Sequence, residues 1–454
     1  MAEQLGREPL TEFSVVARCG DGHPMVIRNH PLDRDGKPFP TLYWLTCPAA
    51  VKSVARLESE GWIRRLEERS RSDPEFGAAL DEAHRRYASE RGHWAPEAEA
   101  WGGVGGSRAG VKCLHAHYAN HLAGGGDPVG AWVASRVEPF HPEEDRRGRV
   151  AAVDMGTNSI RLLVGPPAGA GVAEVARDTV ITRLGRGVDR TGRLDRNAVE
   201  RTMDVLDRYV RRARALAAER VRVAATSAVR DVGDRRVLED EVARIAGVGL
   251  EVLTGQDEAR LSFLGATTAL EVARPVVVFD IGGGSTELAA GADRVERAVS
   301  VDVGSVRITE RVGPADPPSG DDLAAMGSLA SEGLAPAEQV VPPQTGQSLV
   351  GVAGTTTTVQ ALALGLDRYD AQAIHGTVLQ AREARRVLDD LARMTVADRR
   401  ALPVMPPGRE DVIVAGAVIL LEILRRWRAP ECEVSEHDIL DGLAVEMVQG
   451  APPR

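Results

Sequence analysis

Two aspartates, Asp154 and Asp280, each follow a short apolar run and precede glycines and hydroxyl side chains. The two stretches read VAAVDMGTNS from Val150 and VVVFDIGGGST from Val276. Glycine lets a backbone approach a ligand closely, and successive backbone N–H groups can bind an anion. A carboxylate repels phosphate unless a cation lies between them, and hard divalent cations prefer oxygen ligands. The two stretches therefore predict loops that bind phosphate together with a metal ion.

The residue types also predict which metal ion and which ligands take part. We expect Mg2+, or Mn2+, with several water molecules retained. The candidate metal ligands are Asp154, Glu258, Asp280 and Glu287. The candidate phosphate-binding residues are the small residues of the two loops, a Gly-Thr pair farther along the chain and two arginines: Gly156, Thr157, Asn158, Ser159, Gly282, Gly283, Gly284, Ser285, Thr286, Gly354, Thr355, Arg230 and Arg307.

The distribution of basic residues limits how phosphate could be bound. The only lysines are Lys37, Lys52 and Lys112, so no lysine of a Walker-type loop can come from the rest of the chain. Arginine offers a forked donor that matches phosphate. Arg161 and Arg260 are weaker candidates, for which a structural role is an alternative.

The elements that must position these residues can be predicted from the same stretches. Each Asp-x-Gly stands between two apolar runs, which predicts a β hairpin with an acid at its tip. The segment from Leu349 to Thr358 predicts a strand, a glycine-and-hydroxyl turn and a helix. One Asp-x-Gly is ordinary turn chemistry, but two copies and a third Gly-Thr loop favour a phosphate clamp.

Helices and strands alternate between the two predicted hairpins. Asp195 is a predicted N-cap of a helix that ends near residue 218, and a strand follows from Arg220. Another helix begins after Thr254, with Asp257 as the partner in a capping box. Glu258 lies in the first turn of this helix, where the helix dipole favours a carboxylate. A purely structural role for Glu258 is therefore open on local grounds.

Composition excludes several classes of protein. The 454 residues carry 56 basic and 66 acidic side chains and a net charge of -10, which does not indicate a nucleic-acid-binding chain. The sequence shows neither a membrane-spanning apolar run nor a secretory signal pattern, so we expect a cytoplasmic protein with no membrane partner. Its four cysteines do not form a disulfide framework. A charged run over 143–150 predicts a domain boundary near residue 145.

An ordered series of motifs resembles the exopolyphosphatase/guanosine pentaphosphate phosphohydrolase (Ppx/GppA) family over about 150–450. The series is DMGTNSIR from Asp154, ATSAVR from Ala225, GQDEAR from Gly255, DIGGGSTE from Asp280, VGSVR from Val303, GVAGT from Gly351, REDVIVAG from Arg409 and SEHDILDG from Ser435. The resemblance implies a two-lobed actin-like α/β fold of the sugar kinase/Hsp70/actin type, which is ribonuclease H-like. Lobe I would span 150–272 and lobe II 273–454, with the active site in the cleft between them, and the chain would form a homodimer.

The resemblance also implies a reaction. Glu258 aligns with the family's catalytic glutamate, which would orient and deprotonate a water molecule, and Asp154 and Asp280 would be the other catalytic residues. The implied activity is Mg-dependent hydrolysis of the terminal phosphoanhydride of inorganic polyphosphate by direct attack of water. One alternative is a pppGpp 5'-phosphohydrolase that yields ppGpp, and another is a catalytically weak sensor of polyphosphate or nucleotide. Glu258 together with both aspartates favours catalysis, and the motif series disfavours an actin-like ATPase or a sugar kinase.

Residues 1–145 predict a separate α+β domain of unknown function. This part resembles the domain-of-unknown-function family 501, through motifs that include GVKCLHAH from Gly110 and GGGDP from Gly124, and no activity follows from that resemblance. A zinc or iron site could be formed by Cys113, His115, His117 and His121, together with Cys19, Cys47 or His23 from elsewhere in this part of the chain. Their spacing is not that of a known zinc finger, and two histidines at i, i+4 could equally be a packed pair. Metal binding and a structural or interaction role both remain open.

Overall fold

The computed structural model describes residues 4, 9–19, 22–33, 36–39, 41–95, 102–137, 148–230, 232–233 and 235–450. The domain boundary predicted near residue 145 lies outside these residues. Within these ranges, no helix is both long and apolar enough to cross a membrane.

The N-terminal domain combines a three-stranded antiparallel sheet with a set of helices. Its strands are β1 (Phe13–Arg18), β2 (Pro24–Asn29) and β3 (Tyr43–Leu45), and its helices are α1 (Pro48–Ser59), α2 (Trp62–Ser72), α3 (Pro74–Trp94), α4 (Leu114–Leu122) and α5 (Pro128–Ala134). Two aspartates begin helices here: Asp73 accepts from the N–H of Phe76, and Asp127 accepts from the N–H groups of Val129 and Gly130. A sheet and helices in separate stretches of chain give the predicted α+β arrangement.

The second part of the chain contains two larger sheets, one in each lobe. The first has the strands β4 (Val150–Met155), β5 (Ser159–Gly165), β8 (Ala176–Ile181), β9 (Arg220–Ala225) and β10 (Leu250–Val252), with a short ribbon of β6 (Pro167–Ala168) and β7 (Gly171–Val172) beside it. Its helices are α6 (Val188–Thr191), α7 (Arg196–Ala215), α8 (Ser227–Arg230) and α9 (Arg236–Ala246). The predicted N-cap of α7 is confirmed, since the Asp195 side chain accepts from the N–H of Ala198.

A connecting helix, α10 (Gly255–Ala269), leads to the second sheet. The strands of this sheet are β11 (Val276–Ile281), β12 (Thr286–Gly291), β13 (Val295–Val301), β14 (Ser348–Val352), β15 (Thr377–Gln380) and β16 (Glu431–Val434). The later helices are α11 (Ser305–Val312), α12 (Gly320–Val340), α13 (Ala353–Ala363), α14 (Ala371–Ile374), α15 (Ala381–Arg393), α16 (Val396–Arg400), α17 (Ile413–Arg426) and α18 (Ile439–Gln449).

The two larger sheets share one topology. The first has the order β10-β9-β4-β5-β8, and the second has β16-β14-β11-β12-β13 with β15 added at its edge. In both, the central strand is antiparallel to the next strand in the chain and parallel to the strand on its other side. The predicted duplication of the Asp-x-Gly hairpins is thus part of a duplication of whole sheets.

Two helices between the sheets pack differently from the predicted division at residues 272 and 273. Phe263 and Ala266 of α10 pack on the apolar face of the second sheet, although α10 precedes that boundary. Conversely, Leu443 and Ala444 of α18 pack on β4 in the first sheet. The helices meet without room for side chains, because a Cβ on Gly442 would lie 2.1 Å from the carbonyl oxygen of Leu261. The predicted boundary separates the strands of the two sheets correctly. Helix α10, however, packs on the second sheet although it precedes the boundary, and α18 packs on the first sheet although it follows it.

The N-terminal domain and the first lobe share one continuous apolar core. The N–H of Arg18 in β1 donates to the carbonyl oxygen of Val175, at the start of the edge strand β8, over 2.9 Å. Beneath this contact, the buried Asp178 of β8 lies 3.5 Å from a guanidinium nitrogen of Arg28 in β2 and 3.1 Å from one of Arg212 in α7. Burial alone would raise the pKa of Asp178, but Arg28 and Arg212 hold it below its ordinary value. A buried ion pair therefore joins the two domains.

Candidate active site

The β4–β5 and β11–β12 hairpins place both predicted aspartates at equivalent positions in the two lobes. Asp154 is the last residue but one of β4, opposite Arg161 of β5. Asp280 is the last residue but one of β11, opposite Glu287 of β12. The prediction that an acid stands at the tip of each hairpin is confirmed.

Both hairpin tips close with the same backbone hydrogen bond. The N–H of Gly156 donates to the carbonyl oxygen of Ser159 over 2.9 Å, and the N–H of Gly282 donates to that of Ser285 over 3.0 Å. At the first tip, the carbonyl oxygen of Asn158 accepts from the N–H groups of Thr182 and Arg183. These bonds fix the shape of the tips.

The two tips meet face to face across the cleft. A Cβ added to Gly284 would lie 2.6 Å from Oγ of Ser227 and 3.0 Å from Oγ1 of Thr157, and one on Gly283 would lie 3.1 Å from the Thr157 side chain. The glycines Gly282, Gly283 and Gly284 are not among those with positive φ. They therefore serve close approach rather than an unusual backbone angle. Ser227, the first residue of α8, was not among the predicted site residues.

Glu258 is positioned by the first turn of α10. The Thr254 hydroxyl accepts from the N–H of Asp257 over 3.1 Å, which confirms the predicted N-cap. Glu258 is only 5 % exposed, and its Oε1 accepts from a guanidinium nitrogen of Arg230. A carboxylate that only complemented the helix dipole would need no burial, so the dipole alone does not account for the position of Glu258.

The other carboxylates are held by serines or by an arginine. Oδ2 of Asp280 accepts from the Ser262 hydroxyl over 3.0 Å, and Oε1 of Glu287 accepts from the Ser300 hydroxyl over 2.6 Å. Oδ2 of Asp154 accepts from Arg161, whereas its Oδ1 is buried with no hydrogen-bond partner. Neither serine carries a motif that would have identified it from the sequence.

Burial and mutual repulsion favour the neutral forms of these carboxyl groups. Burial first, and Glu287 second, raise the pKa of Asp280 to about 8. The same two causes raise the pKa of Glu258 well above its ordinary value, with Arg230 opposing them. Burial also raises the pKa values of Asp154 and Glu287. A cation among the four groups would restore their ionised forms.

A divalent metal ion fits this set of donors. All four side chains offer carboxylate oxygens, the ligands that Mg2+ and Mn2+ prefer, and the unpartnered Oδ1 of Asp154 offers one with no competing hydrogen bond. No three of the four bring ligand atoms within 4.8 Å of one another. Water would therefore complete much of the coordination shell, as is usual for Mg2+.

The arginines differ in their partners. Arg230 faces the cleft beside Glu258. Arg161 joins Asp154 to Asp438, the N-cap of α18, so it orients an acid from each side of the cleft. Arg260 donates to Glu446 of α18 at 2.5 Å, which is the structural role left open for it.

Arg307 lies where the lobes touch. Its Nε donates to the carbonyl oxygen of Gly284 over 2.7 Å, and its guanidinium also pairs with Asp189 of the first lobe. Asp189 accepts from Arg311 as well, over 2.7 Å. Arg307 thus supports the second tip and ties the lobes together at the same time.

The Thr286 and Thr355 hydroxyls are engaged by backbone carbonyls. The Thr286 hydroxyl donates to the carbonyl oxygen of Val303 over 2.6 Å, and the side chain is fully buried. The Thr286 hydroxyl is therefore engaged within the protein, and the assignment of Thr286 to phosphate stays a prediction. The Thr355 hydroxyl donates to the carbonyl oxygen of Ile281 over 3.3 Å, so it links the third loop to β11.

The third loop brings in an arginine that was not predicted as a site residue. Nη1 of Arg409 donates to the carbonyl oxygen of Gly354 over 2.6 Å and to the Thr358 hydroxyl over 2.9 Å. A Cβ on Gly354 would lie 2.1 Å from the guanidinium. The glycine is therefore needed for this arginine to pack on the loop.

Comparison with known proteins agrees with this geometry. Residues 167–451 match the Ppx/GppA phosphatase family, and residues 15–135 match a family described as protein of unknown function (DUF501). The chain is 45% identical over 314 residues to exopolyphosphatase 2 of Mycobacterium tuberculosis, covering 66% of this chain and 98% of that protein.

Solved structures show the same relationship. An exopolyphosphatase-like protein is 37% identical with a TM-score of 0.64, over 67% of this chain and 100% of its own. The Aquifex aeolicus Ppx/GppA protein is 29% identical with a TM-score of 0.58, over 67% of this chain and 99% of its own. The predicted actin-like α/β fold with a separate N-terminal domain is confirmed. The chain belongs to the Ppx/GppA phosphatase family and is, by that membership, a phosphoanhydride hydrolase.

Proposed function

We propose that the chain is an exopolyphosphatase, dependent on Mg2+ or Mn2+, that releases orthophosphate from the end of inorganic polyphosphate. The observation that carries the proposal is the buried Glu258, held by Arg230 in a cleft that also contains Asp154 and Asp280. The similarity to proteins named exopolyphosphatase supports the choice of substrate. A homodimer and a cytoplasmic location are part of the same proposal.

The two hairpin tips would bind the terminal phosphate. In the described part of the chain, no backbone carbonyl accepts the N–H groups of Thr157, Asn158, Gly283 or Gly284. These groups, together with the guanidinium of Arg230, can donate to phosphate oxygens. Charge develops on those oxygens in the transition state, so donors fixed in advance lower the barrier.

Glu258 would take a proton from the attacking water. Its carboxylate lies on the Arg230 side of the cleft; burial and Glu287 raise its pKa, whereas Arg230 favours the ionised form that a general base requires. Asp154, Asp280 and Glu287 would hold the cation, partly through retained water molecules because no three of these side chains lie close enough to bind it together directly, and Glu258 is a further candidate ligand. The cation, when bound, neutralises phosphate charge and lets the carboxylates lie near a polyanion.

The direct test is phosphate release by the purified full chain. Polyphosphate of defined chain lengths and pppGpp serve as substrates, each with Mg2+, with Mn2+ and with a chelator. We expect orthophosphate from polyphosphate that disappears with the chelator. Release from pppGpp alone would assign the 5'-phosphohydrolase activity instead.

A methyl group at Gly284 should separate the two tips. Gly284→Ala places a Cβ against Ser227 and Thr157, and a misplacement of about 1 Å in a catalytic site can cost about 100-fold in rate. We expect a loss of that order in kcat/KM for phosphate release. Gly249→Ala is the matched control, because nothing lies within 4 Å of its added Cβ. Equal activity of the two variants would contradict the close approach of the tips.

The metal should stabilise the protein more at alkaline than at acidic pH. The folded chain keeps a proton on Asp280 up to about pH 8, whereas the unfolded chain releases it near 3.8. Metal-free stability should therefore fall as pH rises through this interval, because the folded state binds more protons there. We expect the rise in Tm on adding Mg2+ to be larger at pH 8.5 than at pH 5.

The variant Asp280→Asn isolates this effect. It should reduce the metal-free pH dependence, of which Asp154, Glu258 and Glu287 keep a part, and reduce the Mg2+-induced shift, whereas the exposed Asp367→Asn should change neither. A Mg2+ shift that stays the same at both pH values, and in Asp280→Asn, would exclude Asp280 as a ligand.

A further inference from the structure

A second group of potential metal ligands lies in the N-terminal domain, on helices that the cleft does not use. Donor atoms of Glu58, Cys113 and His115 all lie within 4.8 Å of one another. Of the four neighbouring residues predicted for a metal site there, only Cys113 and His115 come together. His117 is fully buried instead, with Nδ1 2.7 Å from Oδ2 of Asp127. The third member, Glu58, comes from α1 and shares no sequence motif with the other two.

The orientation of His115 is that of a metal ligand. Nε2 lies 3.1 Å from the carbonyl oxygen of Val51, so this nitrogen carries the proton and donates. The lone pair of a neutral ring is then on Nδ1, which lies 3.2 Å from Oε1 of Glu58 and 3.9 Å from Sγ of Cys113. Histidine ligands commonly donate their other ring N–H to a backbone carbonyl in this way, which fixes the tautomer.

Backbone contacts also fix the other two donors. Oε1 of Glu58 accepts from the N–H of Leu114 over 2.7 Å, which holds the carboxylate against the start of α4. Cys113 is the N-cap residue of α4, and its thiol makes no capping hydrogen bond. The Cys113 sulfur is therefore not committed to capping the helix, and a cysteine binds metal through its sulfur.

We propose that Glu58, Cys113 and His115 bind a zinc ion. A sulfur, an imidazole nitrogen and a carboxylate oxygen form a mixed set that suits the borderline character of Zn2+ and not the hard character of Mg2+. Three protein ligands leave the fourth tetrahedral position to water. All three side chains are partly exposed, so an ion can enter from solvent.

The proposed site differs chemically from the cleft, and this difference makes it testable in the full chain. The cleft offers carboxylates only, so Co2+ bound there can show no thiolate-to-metal charge-transfer band. Co2+ at Glu58, Cys113 and His115 should show that band together with the visible absorption of a tetrahedral ion. Zn2+ should abolish both, and Mg2+ should not.

Three substitutions and two matched controls complete the experiment. Cys113→Ser and His115→Ala should remove the charge-transfer band and weaken Zn2+ binding, which competition with a chromophoric chelator measures. The loss of affinity should exceed the about 10- to 100-fold that is typical when only a residue hydrogen-bonded to a metal ligand is removed. Glu58→Gln can still accept from Leu114 but should bind Zn2+ more weakly. The controls are His93→Ala, which removes an exposed histidine, and Cys47→Ser, which removes a thiol outside the cluster. Neither control should change the Co2+ spectrum.

Circular dichroism of each variant establishes that it is folded before metal is added. A Co2+ spectrum without a charge-transfer band in the wild type would overturn the proposal, as would a band that persists in Cys113→Ser. In that case Glu58 and His115 form only an ion pair between α1 and α4, with Cys113 beside it.

Discussion

Replacing Glu258 with glutamine should lower the rate of phosphate release from polyphosphate by about 100- to 10000-fold, the usual contribution of a general base. Glutamine keeps the size of the side chain and can still accept from Arg230, so the fold and the cleft should persist. The loss should appear in kcat, with little change in polyphosphate affinity, because only proton transfer is removed. Initial rates and equilibrium binding of polyphosphate measure the two effects separately.

Asp257→Asn is the matched control for this variant. Asp257 precedes Glu258 in the same helical turn, and its carboxylate accepts from the Thr254 hydroxyl at the helix start. We expect activity within a few-fold of the wild type. If Glu258→Gln were as active as the wild type, the assigned base would be wrong. If the wild type and Glu258→Gln both bound polyphosphate and neither released phosphate, the chain would be better described as a polyphosphate sensor.

Replacing Asp178 with alanine should destabilise the chain by about 3–5 kcal/mol, the range for removing one partner of a buried ion pair. Arg212 is only 1 % exposed and Arg28 is partly buried on the neighbouring domain, so two largely desolvated positive charges would lose their common partner. Denaturant unfolding followed by circular dichroism measures the loss. The midpoint should fall, and the N-terminal domain and the first lobe should still unfold together.

The control for Asp178→Ala is Asp204→Ala, which removes an exposed acid from α7 and should stay within about 0.5 kcal/mol of the wild type. The depressed pKa gives a second check. Stability from Asp178 is present above the ordinary carboxyl pKa of 3.8 and is lost below it. The difference between wild type and Asp178→Ala should therefore shrink as the pH falls below 3.8. A difference independent of pH would assign the loss to packing.

Local patterns predicted the two hairpins and the helix N-caps of the site. Asp154 and Asp280 lie at the tips, and Thr254 and Asp195 begin the predicted helices. Periodicity and turn chemistry act over a few residues, so one sequence is enough to reveal them.

The residues that were missed depend on contacts between distant segments. Ser262 and Ser300 hold the carboxylates of Asp280 and Glu287 and stand in no pattern that marks them. Arg409 begins one of the quoted motifs, but the motif does not reveal that its side chain packs on Gly354. Thr286 stands in the same Gly-Ser-Thr run as other predicted phosphate-binding residues, yet its hydroxyl donates to a backbone carbonyl. Side-chain direction in a tight loop is set by tertiary packing, which sequence spacing does not contain.

The shared core also changes how the N-terminal domain can be studied. Cutting the chain near residue 145 would expose apolar side chains of the first lobe that now face β1 and α4. In such a truncated chain, a change in phosphatase activity could come from lost regulation by the N-terminal domain or from lost stability of the first lobe. Substitutions within the interface, such as Asp178→Ala, are therefore the better probe of coupling between the two domains.

The exchange of α10 and α18 has a consequence for biosynthesis. The first lobe begins at Val150, but α18, which covers one face of its sheet, is made only after the whole second lobe. At roughly 5–20 residues per second, that interval is on the order of 15 to 60 s on the ribosome. During this time β4 presents an uncovered apolar face to the cell, which is a natural binding surface for chaperones. The nascent first lobe can therefore reach its native core only after the second lobe and residues 439–449 have been synthesised.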